Sequence, residues 1–512
     1  MDVISLDPRT GDALGSVAEE TSPAALDALC AAAVLAAKEL AALRRSGRAA
    51  MLRSMAEALE ERRGRLIEVA DRETALGEAR LSNELTRTQY QLRLFAEVLE
   101  EGSYLEAIID HAGPTPMGPR PDLRRILRPI GPVAVFGASN FPFAFSVPGG
   151  DTASALAAGC AVIAKAHPLH PATSLLAQEA LLSGARAAGL AATPVGLVFG
   201  QEAGGALVMH PAIQAVGFTG SLEVGRLLAD AAASRPAPIP FYGELGALNA
   251  VVVCASAAAA RHEEVAAGLV ASFTLGVGQF CTKPGIVLLP AGRAGAALLD
   301  DLGAAARSVP SAVMLGEGIA QRFRARSGEI AQAPGIRVRA RGEESQQDTG
   351  SSGLPLLVEA EGIEAITGLL LEECFGPLLV AVTYGDRDEL VAILDRLGPA
   401  LTATVHADPA DHDGASSLLD LLAAKVGRVI WNGYPTGVAV TWAMQHGGPY
   451  PATTNPLHTS VGMTSIRRWL RPVAYQGVPE ALLPAELRDA PEPQSVVPRR
   501  VDGKLELPAE EP

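Results

Sequence analysis

The sequence predicts an α/β protein built from two doubly wound αβ units. Three observations carry that expectation. From residue 131, short apolar runs alternate with helix-like stretches, the pattern of a parallel sheet covered by helices on both faces. A second series of the same kind begins near 249. The chain has 512 residues, far more than one hydrophobic core usually serves.

Taken in order, residues 24–110 are Ala/Leu/Arg/Glu-rich with helical spacing. LDALCAAAVLAAKELAALRRS and RAAMLRSMAEALEERRGRLIEVA each set an apolar stripe against a charged face. Residues 111–128 turn Pro- and Arg-rich and read as an irregular arm or hairpin. The first series places strands at 132–137, 161–165, 195–200 and 213–218, with helices at 151–160, 173–188 and 221–233. The second places strands at 249–254, 285–290, 377–383, 401–407 and 427–432, with helices at 261–275, 293–308, 387–396 and 413–425. Residues 435–460 read as loop, 466–478 as a strand, and 481–512 as a surface-hugging tail. Ligands of such sheets are expected at the carboxyl ends of strands.

Hydrophobic residues at 48% and charged ones at 19% describe a well-cored globular chain. The net charge of -15 argues against nucleic acid and anionic membranes as partners. Five scattered cysteines, with no CxxC pair, fit a reduced cytoplasmic protein without a disulfide framework or structural zinc. The start, MDVISLDPRTGD, is acidic and has no long apolar core, so a signal peptide is not expected.

GVGQFCTKPG (276–285) sets Cys281 in a glycine-rich run, with Lys283 two residues on. A buried thiol or a nucleophile would both suit it. Four further patterns stand at strand ends or loops. FGASNFPFAFS (136–146) holds Asn140, whose amide could donate into a cleft or simply shape a turn before proline. GFTGSLEVG (217–225) is strand, turn and helix; its exposed N–H groups suit a pyrophosphate, although the spacing is not GxGxxG. FYGELGALN (241–249) puts Glu244 among small and apolar residues, where a carboxyl should titrate high and suit a general base, or be an ordinary loop Glu. EECFGPLL (372–379) offers Glu373 to sugar hydroxyls or caps its own loop. Lys165 ends the strand AVIAK and could hold a ribose or phosphate. His167 and His170 have i,i+3 spacing, but intervening proline and missing carboxylates argue against a metal there.

These patterns, in this order around Cys281, resemble the aldehyde dehydrogenase superfamily. FGASNFPFAFSVPGGDTASALAAGC, GELGALNAVVV and TSVGMTSIRRWLRPVAYQGVPEALLP are most similar to its 2-oxoglutarate semialdehyde (2,5-dioxopentanoate) branch, which also holds NADP-dependent fatty-aldehyde enzymes. The resemblance implies Cys281 as nucleophile, Glu244 as general base and Asn140 as oxyanion donor. It implies Glu373 at the nicotinamide ribose with Phe375 beside it, Lys165 at the adenosine ribose, and Gly220, Ser221 and Gly225 at the pyrophosphate turn. It further implies a Rossmann-like cofactor domain (1–110 and 129–247), a catalytic thiol domain (248–457) and a small β oligomerisation flap (111–128 and 458–480), in a homodimer or homotetramer.

The chemistry expected is oxidation of an aldehyde to an acid through a thiohemiacetal and a thioester on Cys281. Glu244 favours a free acid product over transfer to coenzyme A. Lys283 and nearby N–H dipoles are candidates to lower the thiol pKa. Pro168, where NAD-preferring relatives often carry Glu, leans the cofactor towards NADP over NAD; GQEAGGALV (200–208) supplies no Arg and adds Glu202. Arg467, Arg468 and Arg471 could meet an acidic substrate, or serve an interface instead. Broad-specificity or fatty aldehydes, an esterase-like hydrolase and a non-catalytic cofactor-binding scaffold are the rival readings.

Overall fold

The computed structural model describes residues 1–345 and 351–508. A hairpin of Asp2–Leu6 and Ala13–Glu19 precedes four helices, Pro23–Ala42, Arg45–Glu61, Arg63–Thr74 and Glu78–Glu101. Ser22 starts the first by accepting the Ala25 N–H, with Pro23 at the first helical position. Gly102, at φ +84°, ends the fourth in a left-handed turn that glycine adopts without strain.

The first sheet has five parallel strands in the spatial order Phe241–Glu244, Ala215–Thr219, Val133–Phe136, Val162–Lys165, Val195–Val198. The chain runs outward from Val133–Phe136 in one direction, then returns to its other side at Ala215–Thr219. The carboxyl ends of those two strands therefore border a switch point, where a parallel sheet leaves a crevice. Asn140, Gly220 and Glu244 all follow or end strands at this edge. Helix Glu78–Glu101 closes the crevice: buried Glu84 accepts the N–H groups of Phe143 (2.8 Å) and Ala144 (2.9 Å), fixing the loop after Asn140.

The second sheet has seven strands, in the order Ile336–Arg341, Leu356–Ala360, Leu378–Tyr384, Pro284–Pro290, Asn249–Val253, Ala400–His406, Val426–Trp431. Only Ile336–Arg341 runs antiparallel. Its central strands are apolar throughout because both faces are covered: Ala250, Val252, Ile286 and Leu288 enter one core, and Val251, Val253, Val287 and Leu289 the other.

A small sheet joins Leu470–Gln476, Leu123–Pro129, Ala107–Asp110, Arg499–Val501 and Lys504–Glu506. Trp469 anchors it, fully buried, with its indole N–H donated to Ser154 Oγ at 2.8 Å.

Several expected boundaries shift. The strand read at 466–478 is Leu470–Gln476, preceded by the 3₁₀ turn Met463–Trp469. The segment read as a tail contributes Arg499–Val501 alongside Ala107–Asp110; three residues rich in Arg give no alternation to find. GQEAGGALV, read as a loop, is helix Gln201–Met209. Helix Glu317–Ala331 and strands Ile336–Arg341 and Leu356–Ala360 were not foreseen, although IRVRAR alternates as an exposed edge strand should. Among the described residues no helix is long and apolar enough to cross a membrane.

Candidate active site

Cys281 lies in the turn between helix Ala255–Thr274 and strand Pro284–Pro290. Gly276, Val277 and Gly278 all have positive φ, which bends the chain sharply ahead of the thiol. A side chain at Gly278 would overlap the backbone of Gly376 and Pro377, so the cysteine turn and the EECFGP turn pack directly on one another. Asn249 fastens the other side, donating Nδ2 to the carbonyls of Cys281 (2.8 Å) and Lys283 (3.0 Å) and accepting Thr402 N–H (3.0 Å). The thiol therefore stands at the amino end of a second-sheet strand and faces the carboxyl edge of the first sheet. The expectation of a site made only from carboxyl ends holds for one sheet and not the other.

Three side chains meet here. Glu244, Cys281 and His446 place their functional atoms within 4.8 Å of one another. His446 Nε2 is 2.9 Å from Glu244 Oε1 and 3.5 Å from Cys281 Sγ. Ser460 donates its hydroxyl to Glu244 Oε2. His446 is fully buried and Glu244 is 3% exposed. Asn140, 7% exposed, donates Nδ2 to the Gln279 carbonyl at 2.9 Å, two residues before Cys281. Its own carbonyl accepts Arg80 Nη2 at 2.7 Å, and the Arg80 guanidinium sits 4.9 Å from the Phe280 ring and 5.2 Å from that of Phe141. The first sheet thus supplies amide and carboxylate, the second supplies the thiol, and the loop 432–462 supplies the imidazole.

The electrostatics differ from expectation in two places. Burial pushes the Glu244 carboxyl up, but the charge and hydrogen bond of a His446 imidazolium, with the Ser460 hydroxyl, outweigh it, so it titrates below the usual carboxylate value. The high-titrating carboxyl expected from sequence overlooked these partners. Lys283 does not serve the thiol: it is buried and donates Nζ to the Leu378 carbonyl at 2.9 Å. Burial, then the charge and hydrogen bond of Glu244, then Glu373, drive the Cys281 thiol well above its ordinary value, with Arg428 opposing. The resting sulfur is protonated, and a base must take its proton before it can attack.

A second group lies around this centre. Glu373 and half-buried Phe375 belong to the turn that packs on Gly278, and a side chain at Gly246 would overlap the Glu373 carboxylate. Burial pushes the Glu373 carboxyl up to about 7, with Glu244 adding and Lys283 opposing. Lys165 ends its strand half-buried, its stem 3.4 Å from where a Gly204 side chain would begin. Burial lowers its ammonium and Glu20 raises it. Ser221 caps helix Leu222–Ser234 by accepting the Val224 N–H, and Gly220 and Ser221 are exposed at its start. Gly225 lies inside that helix, where any side chain would strike Leu245; it serves packing and not the turn itself.

The remaining basic candidates lie elsewhere. Arg468 is buried against Asp151 at 2.6 Å, Arg467 pairs with Glu106 at 3.0 Å, and Arg471 is exposed on the small sheet. The His167 and His170 rings stack at 5.3 Å, and His170 Nε2 meets the Ala138 carbonyl at 2.9 Å. Among the described residues, the donors grouped closely enough to hold a cation are Glu244, Cys281 and His446; a zinc ion there would silence the thiol. Sequence reading missed His446, Ser460 and Asn249 as site residues. Asn249 was in view within the quoted GELGALN, but a lone His in MQHGGP carries no spacing signal.

Comparison with known proteins agrees with this geometry. Residues 2–452 match the aldehyde dehydrogenase family. The chain is 47% identical over 465 residues to alpha-ketoglutaric semialdehyde dehydrogenase 2 of Azospirillum brasilense, covering 90% of this chain and 88% of that one. It is 43% identical over 446 residues to the alpha-ketoglutaric semialdehyde dehydrogenase of Acinetobacter baylyi, covering 86% and 84%. Its fold matches a mutant of aldehyde dehydrogenase C from Pseudomonas syringae, solved with NAD+ and octanal, at a TM-score of 0.79, 22% identity and 93% coverage of each chain. The chain belongs to the aldehyde dehydrogenase family.

Proposed function

We propose that this protein oxidises 2-oxoglutarate semialdehyde to 2-oxoglutarate with NAD(P), using Cys281 as nucleophile. The observation that carries the chemistry is the convergence of Cys281, Glu244 and His446 within 4.8 Å, with Asn140 bonded to the cysteine turn. The two semialdehyde dehydrogenases at 47% and 43% identity support the substrate.

The steps follow from the protein's own groups. A neutral His446 accepts the thiol proton at Nε2, the thiolate adds to the carbonyl carbon, and the imidazolium so formed, 2.9 Å from Glu244 Oε1, keeps that carboxylate ionised. The alkoxide that forms is held by the second Asn140 amide hydrogen and the Cys281 N–H; one such donor contributes ~3 kcal/mol. A nicotinamide bound nearby supplies the hydride acceptor. The acyl group remains on Cys281 as a thioester, and Glu244, ionised because its carboxyl titrates low, takes a proton from the attacking water.

The residues present suit that cofactor. Glu373 is a carboxylate held against Gly246 and able to accept ribose hydroxyls; Lys165 and the capped turn at Gly220 and Ser221 suit the adenosine end. If Glu373 grips the ribose as a carboxylate, the KM for NAD(P) falls as pH rises through about 7, where that carboxyl ionises. Glu373→Gln is expected to flatten this limb in a pH series of KM; an unchanged limb removes the role.

We infer NADP over NAD by a narrow margin. Pro168 places no carboxylate against a 2′-phosphate, whereas Glu20, whose charge reaches Lys165, opposes one. Glu20→Gln is expected to raise the NADP to NAD ratio of kcat/KM by roughly three- to tenfold, the scale of one partly screened charge. An unchanged ratio removes the argument.

The sheets at 133–244 and 249–431 are assigned to cofactor and thiol chemistry respectively. The small sheet, with its exposed edges, is assigned to contacts in a homodimer or homotetramer. Five free cysteines favour the reducing cytoplasm. The deciding experiment is a kcat/KM panel with 2-oxoglutarate semialdehyde, short aldehydes and long-chain aldehydes against both cofactors. Silence throughout would leave only a binding scaffold.

A further inference from the structure

Two arginines converge on the segment 435–438, beside the thiol. Arg87, on helix Glu78–Glu101, donates Nη2 to the Val438 carbonyl at 3.2 Å and lies 5.0 Å over the Phe145 ring. Arg428, on strand Val426–Trp431, donates to the carbonyls of Gly437 (3.0 Å) and Pro435 (2.7 Å). Each keeps one guanidinium nitrogen closed to solvent and without an acceptor, Nη1 of Arg87 and Nε of Arg428. Among the described residues neither makes an ion pair within 4 Å. Glu84, whose charge reaches Arg87, accepts two backbone N–H groups with Oε1 and leaves Oε2 without a partner, and burial pushes its carboxyl up, towards the neutral form.

Two cations drawn out of water over four residues of chain are costly unless an anion joins them. Pinning carbonyls needs only neutral donors, and a guanidinium adds a planar fork matched to a carboxylate. The Phe145 ring under Arg87 lies 6.4 Å from the His446 ring, which sets Arg87 near the reacting end, and Arg428 joins it through the shared segment 435–438. Phe141, Phe145 and Phe280 cluster in the same region, the Phe141 ring centroid 5.1 Å from that of Phe145 and 5.3 Å from that of Phe280, an apolar wall for a short carbon chain. Arg80 is already committed to the Asn140 carbonyl and is a positioning residue for the amide.

We propose that Arg87 and Arg428 together bind the carboxylate of the substrate, so that the enzyme selects aldehydes carrying an anionic group a few carbons from the carbonyl. This rests on the semialdehyde reading above and names the residues that set it. It assigns to these two side chains the task expected of Arg467 and Arg468, which pair with Glu106 and Asp151, or of Arg471, which lies exposed on the small sheet.

The test compares 5-oxopentanoate with pentanal, which differ only in the carboxylate, alongside 2-oxoglutarate semialdehyde. The wild type is expected to prefer 5-oxopentanoate. Arg87→Met and Arg428→Met should each lower the ratio of kcat/KM for 5-oxopentanoate over pentanal by roughly 100-fold, as loss of a buried charge partner does, with partial recovery in the Lys variants. Equal losses on both substrates mean the arginines only pin the loop, and overturn the proposal. A wild type without preference for the charged aldehyde overturns it too. A wild type that prefers 5-oxopentanoate yet ignores the 2-oxo compound supports the anchor and removes the semialdehyde assignment. Should the Met variants fail to fold, 2-oxoglutarate must still protect wild-type Cys281 from iodoacetamide, and less well in Arg87→Lys; no protection of the wild type also overturns the proposal.

Discussion

Cys281→Ser is expected to lower aldehyde oxidation by ~10⁴-fold or more, the scale seen when a covalent nucleophile is removed. The reason lies in the site and not only in the sulfur. The thiol is half-buried beside two carboxylates and rests protonated. In the proposed cycle it hands one proton to His446, whose Nε2 lies 3.5 Å away. A serine hydroxyl in that place starts from a far higher pKa, is a weaker nucleophile than sulfur, and would leave an ester less readily hydrolysed than a thioester. Cofactor binding should persist, because Lys165, Ser221 and Glu373 do not depend on the sulfur. Fluorescence titration with NADPH and NADH checks this beside the rate; near-normal turnover by the variant would refute the nucleophile.

The second large effect separates two proton tasks. Glu244→Gln is expected to keep a stoichiometric burst of reduced cofactor and slow the steady state by roughly 10²–10⁴, because water attack on the thioester loses its base. His446→Gln is expected to slow the burst itself by about 10². The imidazole stands between sulfur and carboxylate, so each substitution exposes a different half of the cycle. Rapid-mixing absorbance reads both phases. A burst lost in Glu244→Gln and kept in His446→Gln would reverse the assignment. Acidification bears on the same pair. The low-titrating Glu244 stays ionised down to pH values below the usual carboxylate range, so deacylation should persist there, with loss only as pH falls through that lowered value.

Cys281, Glu244 and Asn140 were legible because each sits in a contiguous pattern at a strand boundary, where a few neighbouring residues set the backbone. Asn140 follows Phe136 at the sheet's switch point, and Glu244 ends the next strand but one. The same local logic found the central strands, since burial on both faces leaves unbroken apolar runs. It failed for Ile336–Arg341, an edge strand whose alternation pairs apolar residues with arginines, and for Arg499–Val501, too short to show a period.

The sequence by itself determined the α/β class, the succession of two αβ series along the chain and the placing of Cys281, Glu244 and Asn140 at strand boundaries, because these depend on periodicity and short-range chain geometry. Only the tertiary structure decided how they work. It placed His446, more than 160 residues from Cys281, between thiol and carboxylate. It turned the expected titration of Glu244 downward through Ser460 and His446, and sent Lys283 away from the sulfur to a backbone carbonyl. Those outcomes depend on which charges share a low-dielectric volume, and sequence spacing carries no record of that distance.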